Sequence, residues 1–325
     1  MEYRRLGRSN LTVSRLCFGS LTVGPLQAAL ETDRGAEVLA YGLSRGINFI
    51  DTAQYYQNYE ILRRALRKSG KFDTILCTKT YAYNRPLAEQ AFEEARRALD
   101  RDVIDLFMLH EQESIHTLRG HAEALDFLIE MKHRGYIRAL GVSTHHVAAV
   151  EGVCDLCAIR ELDVIFPIYN MRGLGIADGT IDDMNAALYR AKRLRLGIFA
   201  MKALGGGNLH ASAAEALRFV LDARTPDGAP LCDSIAIGMQ SEEEIDANIG
   251  FFETGAFSES ARQALAQKHR VLHIEDYCEG CGSCVRRCGQ HAMTIQDGRC
   301  VCDASRCVLC GYCAAVCPLF AIKVL

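Results

Sequence analysis

Ten of the fifteen cysteines in this 325-residue chain fall between Cys278 and Cys317, and eight of those ten repeat one spacing. Cys278-x2-Cys281-x2-Cys284-x3-Cys288 is followed by Cys307-x2-Cys310-x2-Cys313-x3-Cys317, with Pro318 after the second run. Cysteines this dense either form disulfides in an oxidising compartment or hold metal and carry electrons in a reducing one. Two identical quartets are hard to reconcile with a disulfide knot or a zinc site. Gaps of two residues let one tight loop deliver three soft thiolates to a single iron–sulfur cube. When two such runs occur together, the fourth cysteine of each ligates the other cluster. Two [4Fe-4S] clusters are therefore expected, one on Cys278, Cys281, Cys284 and Cys317, the other on Cys307, Cys310, Cys313 and Cys288. Gly280, Gly282 and Gly311 let the backbone approach the sulfides and donate N–H bonds. Gly289 stands where the first run usually has proline. Cys300 and Cys302 lie between the runs and read as non-ligands, because both quartets are complete without them. Cys154 and Cys157 form a lone C-x2-C within a helical pattern and read as buried helix residues.

A second set of reactive side chains lies far from the cysteines in sequence. Asp51, Lys79 and His110 each end a short apolar run, and Tyr56 follows Asp51 by five residues. Taken singly, a strand-end histidine is usually structural and a lysine usually solvated; the set is more specific than its members. The elements that must position it recur along the chain. Apolar runs near Leu16–Phe18, Asn48–Ile50, Thr74–Thr78, Asp105–Leu109, Arg138–Val142, Val164–Ile168, Gly197–Met201 and Ser234–Ile237 alternate with amphipathic stretches. Tyr3–Val13, turning at Asn10, reads as an opening hairpin. Strand–helix alternation on this scale predicts a parallel α/β fold, and its size matches a closed (β/α)8 TIM barrel. A doubly wound open sheet stays open as the alternative, since periodicity does not show closure. The Rossmann fingerprint is missing, because Gly205–Gly207 lacks the required pattern and a downstream acid. In a barrel, the carboxyl ends of the strands share one mouth, where Asp51, Tyr56, Lys79 and His110 would meet. Tyr81, Tyr83, Leu21 and Leu26 fall on loops that could wall it.

The segments YRRLGRSNLTVSRLCFG, DTAQYYQNYE, CTK, FMLH, GVSTHH, ALGGGNL and IGMQSEEEIDANI resemble the aldo-keto reductase family over roughly residues 1–255. The whole chain resembles the iron–sulfur branch of that family, in which a ferredoxin module follows the barrel. The resemblance implies a (β/α)8 barrel over 1–270 and a small α+β ferredoxin-like domain over 271–325. It also implies a catalytic tetrad of Asp51, Tyr56, Lys79 and His110. The family motif puts the tyrosine five residues after the aspartate, which selects Tyr56 over the adjacent Tyr55. A free tyrosine, with a pKa of about 10, is a poor acid at neutral pH, and a neighbouring ammonium should lower that value. For the nicotinamide cofactor, the resemblance implies contacts from Ser143, Thr144, Lys202, Gly205, Gly206, Ser241 and Asn248. Thr144, Phe166 and Met201 replace the family's usual Asn, Gln and stacking aromatic. Glu242, Glu243 and Glu244 stand where a basic residue often meets the 2′-phosphate. The family points to NADP(H), while those carboxylates would repel the extra phosphate and leave NAD(H) open.

Apolar residues at 49% and charged residues at 24% imply a sizeable core, and a net charge of −3 excludes a strong field for nucleic acid or anionic membrane. No apolar run approaches the ~20 residues of a bilayer span, and Met1–Leu11 has no signal core, so the expected location is cytoplasmic. The expected activity is interconversion of a small carbonyl and its alcohol, with the clusters transferring electrons, a redox partner protein remaining open. Two other readings stand beside it: an electron-transfer protein whose barrel binds a partner or ligand with little nicotinamide activity, and clusters that are structural or oxygen-sensing. Hydride transfer moves two electrons and a cube normally moves one, with no recognisable flavin motif between them.

Overall fold

The computed structural model describes residues 1–267, 271–319 and 321–324. Lys268–Arg270, where the expected domain boundary falls and the expected 258–270 helix ends, lie outside the described residues. Eight parallel strands follow the apolar runs: β1 (Leu16–Gly19), β2 (Phe49–Asp51), β3 (Ile75–Thr80), β4 (Ile104–Leu109), β5 (Ile137–Thr144), β6 (Val164–Pro167), β7 (Gly197–Ala200) and β8 (Ser234–Ile237). β8 pairs with β7 and also with β1, Ile235 opposite Leu16, so the sheet closes into a barrel and the open-sheet alternative falls.

The period-two alternation of a strand sorts side chains between two cores. Leu16, Phe18, Ile50, Leu76, Phe107, Leu140 and Ile165 point outward under the helices. Cys17, Phe49, Cys77, Leu106, Met108, Ala139, Val164, Phe166 and Phe199 fill the barrel interior. There Phe166 and Phe199 stack with ring centroids 3.9 Å apart. The hairpin, Tyr3–Arg5 paired with Thr12–Ser14, inserts Leu6, Leu11 and Val13 into the amino-terminal end of the barrel as a plug. Its seat is tight: a Cβ on Gly7 would lie 2.1 Å from the Gly197 nitrogen. At the other end the same alternation fixes the mouth. Asp51, Lys79 and His110 come two residues after the interior Phe49, Cys77 and Met108, and so form the next layer above the packed core.

The outer helices follow the amphipathic stretches and start on local caps. The Asn84 side chain accepts from the Leu87 N–H with Pro86 in the first turn, and Thr180 with Asp183 forms a capping box. The stretch 118–134, which reads as one helix, is two: Ile115–Gly120 and Ala122–His133 meet at His121, whose ring Nδ1 lies 2.7 Å from the Thr117 carbonyl.

The small domain is built from two antiparallel pairs, Leu272–Ile274 with Ile322–Val324 and Met293–Gln296 with Arg299–Cys302, and two short helices, Ser283–Arg287 and Tyr312–Ala315. It sits over the carboxyl ends of the barrel strands. Gly311 presses on the loop after β1, where an added Cβ would lie 2.1 Å from the Leu26 carbonyl oxygen. Gly206, at φ +70°, meets the tail after β7, where a Cβ would lie 1.8 Å from the Val308 carbonyl oxygen. Only glycine allows either approach.

Candidate active site at the barrel mouth

The four side chains expected to meet do meet. Lys79, 1% exposed, places Nζ 2.6 Å from Asp51 Oδ1 and 2.5 Å from the Thr52 carbonyl oxygen. The same Nζ lies 4.8 Å from the centroid of the Tyr56 ring and 5.3 Å from that of Phe166. Tyr56 is carried by the short 3-10 turn Gln54–Tyr56 after β2. Its ring meets His110 edge-on at 5.8 Å, and His110 stacks on Tyr81 at 4.4 Å.

Burial sets the electrostatics. It works against the Lys79 ammonium and is the largest single influence on it, but the Asp51 carboxylate together with Tyr56 and Cys77 outweighs it and leaves the lysine pKa raised. Burial also raises Asp51, with Lys79 pulling the other way. For Tyr56 the expected lowering by Lys79 is present but smaller than the desolvation of a buried phenolate, so the net shift is upward. Burial, helped by the charge of Lys79, pushes His110 well below its ordinary range and keeps the imidazole neutral. Its Nδ1 has no hydrogen-bond partner among the described residues.

From this layer a cavity of about 860 Å³ runs outward, lined at one end by Asp51, Tyr56, Phe166 and Met201 and at the other by Ser241 and Asn248. Lys202 and Gly206 line its middle. Of the residues expected on the nicotinamide cofactor, these four reach the cavity and three do not line it. The Ser143 hydroxyl accepts from the Glu111 N–H at 3.0 Å, and the Thr144 hydroxyl donates to the Gln112 carbonyl at 2.6 Å. Gly205 is buried behind the lining. Lys202 Nζ lies 3.0 Å from His145 Nε2. At the outer end Ser241 caps the helix Glu242–Thr254, and Asn248 donates to the Glu244 carbonyl. Glu242 is bridged by both terminal nitrogens of Arg34, at 2.7 and 2.5 Å.

Residues of the tail complete the mouth, and sequence reasoning missed them. Arg287 donates to the Tyr81 hydroxyl at 3.1 Å and lies over the rings of Tyr55 and Tyr312, 4.9 and 4.5 Å from their centroids. Gln290 reaches His145 at 3.2 Å. The Tyr312 hydroxyl is 3.4 Å from His110 Nε2. Arg287 and Tyr312 sit inside the cysteine runs, where spacing explains only the ligands.

The tail's thiols suit clusters by chemistry. All are free, and Cys284, Cys300, Cys313 and Cys317 share one small core with Cys278, Cys288 and Cys302 packed against it. Backbone N–H groups already point at three sulfurs: Cys300 N to Cys278 at 3.5 Å, Ala292 N to Cys288 at 3.4 Å and Ala321 N to Cys317 at 3.3 Å. Such bonds stabilise thiolate ligands. No group of three or more His, Cys, Asp or Glu among the described residues is arranged to hold a metal ion. Cys300 and Cys302 stand close to the quartets: Cys300 Sγ is 3.2 Å from Cys284 Sγ, and a hydrogen bond from Cys302 lowers the Cys307 thiol pKa. Cys154 and Cys157 are buried, as their helical pattern suggests.

Comparison with known proteins adds the following. A model of the aldo/keto reductase family matches residues 15–210, and one of a 4Fe-4S binding domain matches residues 303–323. The chain is 29% identical over 186 residues to aldo-keto reductase YhdN of Bacillus subtilis, covering 53% of this chain and 54% of that protein. It is 26% identical over 190 residues to a probable voltage-gated potassium channel subunit beta of Arabidopsis thaliana, covering 53% and 56%. The chain thus spans about half the length of the curated relatives it matches. Among solved structures, aldo-keto reductase AKR11C1 from Bacillus halodurans superposes with a TM-score of 0.63 at 20% identity, covering 82% of this chain and 96% of that one. That likeness supports the barrel fold.

Proposed function

The chain belongs to the aldo/keto reductase family, and we propose that it interconverts a small carbonyl compound and its alcohol with NADP(H) or NAD(H), while its tail holds two [4Fe-4S] clusters that transfer electrons. The observation that carries this reading is the buried Asp51–Lys79 pair, 2.6 Å apart, beside Tyr56, whose ring meets His110, with Asp51 and Tyr56 lining one end of a long cavity. The nicotinamide cofactor supplies or accepts the hydride when bound. Tyr56 passes the proton to or from the substrate oxygen, acting as acid in reduction and base in oxidation. Neutral His110 donates a hydrogen bond that orients that oxygen. Lys79 places a fixed positive charge beside the oxygen, and Asp51 holds it there.

Lys202 and the glycine turn at Gly206 suit the pyrophosphate, and Ser241 and Asn248 suit the adenosine end. Phe166, where the family usually has Gln, and Met201, where it has a stacking aromatic, offer an apolar bed for the nicotinamide. Ser143 and Thr144 support this end indirectly, through the backbone they hold. In the tail, Cys278, Cys281, Cys284 and Cys317 would hold one cluster, and Cys307, Cys310, Cys313 and Cys288 the other. The barrel domain runs to about residue 270 by this reading.

Anaerobic calorimetric titration of the cluster-loaded protein with NADPH and then NADH tests it. Saturable binding of one or both is expected, and the preference reports whether Arg34 or the glutamates govern the adenosine end. Binding of neither would transfer support to an electron-transfer protein with a ligand-binding barrel.

A further inference from the structure

We propose that the hydroxyl of Tyr312, carried by the cysteine-rich tail, occupies the place of the carbonyl oxygen in the barrel's site, so that a substrate enters by displacing it and planar aryl or conjugated carbonyl compounds do so with the least loss of contact. The inference rests on the tetrad reading given above and adds a residue from the other domain to that site.

The placement of one hydroxyl carries the argument. Tyr312 Oη lies 3.4 Å from His110 Nε2 in a buried contact, and the same side chain interacts with the phenol of Tyr56. Those two groups are the ones a carbonyl oxygen must face. The Tyr312 hydroxyl therefore stands where a substrate oxygen would stand, and a substrate enters by taking over its hydrogen bonds. One oxygen exchanges for another, so neither His110 nor Tyr56 is left without a partner at any stage.

The ring is held as firmly as its hydroxyl. Tyr312 is 6% exposed and packs with Leu26, Ala53 and Tyr56. It meets Tyr55 edge-on at 5.1 Å, and Arg287 covers its face at 4.5 Å. The chain around it is pinned to the barrel. Gln27 donates to the Leu309 carbonyl at 3.1 Å, Asn208 donates to the Cys307 carbonyl at 2.6 Å, and Gly311 lies against Leu26. Displacing the phenol therefore requires rotation of the Tyr312 side chain within a fixed backbone. Its surroundings, Tyr55, Tyr81 and the Arg287 guanidinium, present flat aromatic and cationic surfaces. A planar conjugated carbonyl can replace the phenol ring against them with little loss of contact. Cys310 lines the same cavity two residues before Tyr312, and Cys313 follows it, so an occupant of the carbonyl site also touches the segment carrying these cysteines.

The test uses the full-length, cluster-loaded protein under anaerobic conditions, as wild type, Tyr312→Phe and Tyr312→Ala. With benzaldehyde and the nicotinamide nucleotide that binds, Tyr312→Phe, which removes only the competing hydroxyl, is expected to lower KM several-fold, by roughly threefold to tenfold, with kcat within about threefold. Tyr312→Ala, which vacates the place of the ring as well, is expected to lower the benzaldehyde KM at least as far. A second readout does not depend on turnover. In electrochemically reduced protein without nucleotide, benzamide, a planar carbonyl that does not react, is expected to change the cluster EPR signal of wild type and to do so at lower concentration in Tyr312→Phe and Tyr312→Ala. If the tetrad reading fails, no variant reduces benzaldehyde, yet the EPR response still decides the role of Tyr312. If Tyr312→Ala does not load clusters, Tyr312→Phe and Tyr312→Leu carry the comparison. The proposal is overturned if KM is unchanged in the variants, or, where there is no turnover, if the same benzamide concentration is needed for the EPR response in every variant.

Discussion

Lys79 keeps a full charge where water does not reach it, and Asp51 is the reason. Removing one member of a buried pair strands the other, at a cost of about 3–5 kcal/mol. Asp51→Asn is therefore expected to destabilise the barrel by about that amount in urea unfolding and also to abolish most turnover; a surface-like effect below ~1 kcal/mol would contradict the pairing. The upward shift of Tyr56 has a kinetic consequence with a definite sign. Reduction needs the protonated phenol, which a raised pKa preserves, so kcat for reduction should be flat from about pH 6 to 9. Oxidation needs the phenolate, whose fraction grows about tenfold per pH unit below the pKa, so the oxidation rate should climb across the same window. Steady-state profiles in both directions check this, and a reduction rate that falls from pH 7 would refute a raised Tyr56. At this scale the sequence was partly legible. Asp51, Lys79 and His110 could be placed because each ends an apolar run, and strand alternation then aims all three inward. Ser143 and Thr144 could not be aimed, because their hydroxyls are claimed by backbone groups of the loop after β4.

The elements explain why the mouth has its shape. Short β-branched and apolar runs gave the eight strands with errors of a residue or two, while closure appeared only in the pairing of β8 with β1. The glycine turn after β7 was legible as a cluster but not in its contact: besides lining the cavity, Gly206 receives the Val308 carbonyl. A side chain there would meet both a positive φ, at about 1–2 kcal/mol, and a direct clash with that oxygen. Gly206→Ala is expected to loosen the tail from the mouth, read as faster hydrogen exchange over Val308–Tyr312. Unchanged protection would mean that the contact is not what seats the tail. In the tail, the proposed crossing of Cys288 and Cys317 between quartets predicts that Cys288→Ser and Cys317→Ser impair different clusters. EPR of each reduced variant should lose a different component while about four iron atoms per chain remain.

At the scale of the molecule, a barrel and an iron–sulfur module form one site rather than two. The module rests on loops after all seven strands from β1 to β7, and its Arg287 and Tyr312 close the mouth over His110. No helix among the described residues is long and apolar enough to cross a membrane. The cysteine spacing foretold the module's chemistry, but not its seat, because docking depends on residues between the ligands that no spacing rule constrains. The central claim is that Tyr56 delivers the proton in a nicotinamide-linked carbonyl reduction. The direct test is anaerobic oxidation of NADPH or NADH by a small aldehyde, followed at 340 nm, in cluster-loaded wild type and Tyr56→Phe. Wild-type turnover with a loss of about 10²–10⁴ in kcat for Tyr56→Phe and unchanged nucleotide binding is the predicted result. Equal rates in the two proteins would contradict it.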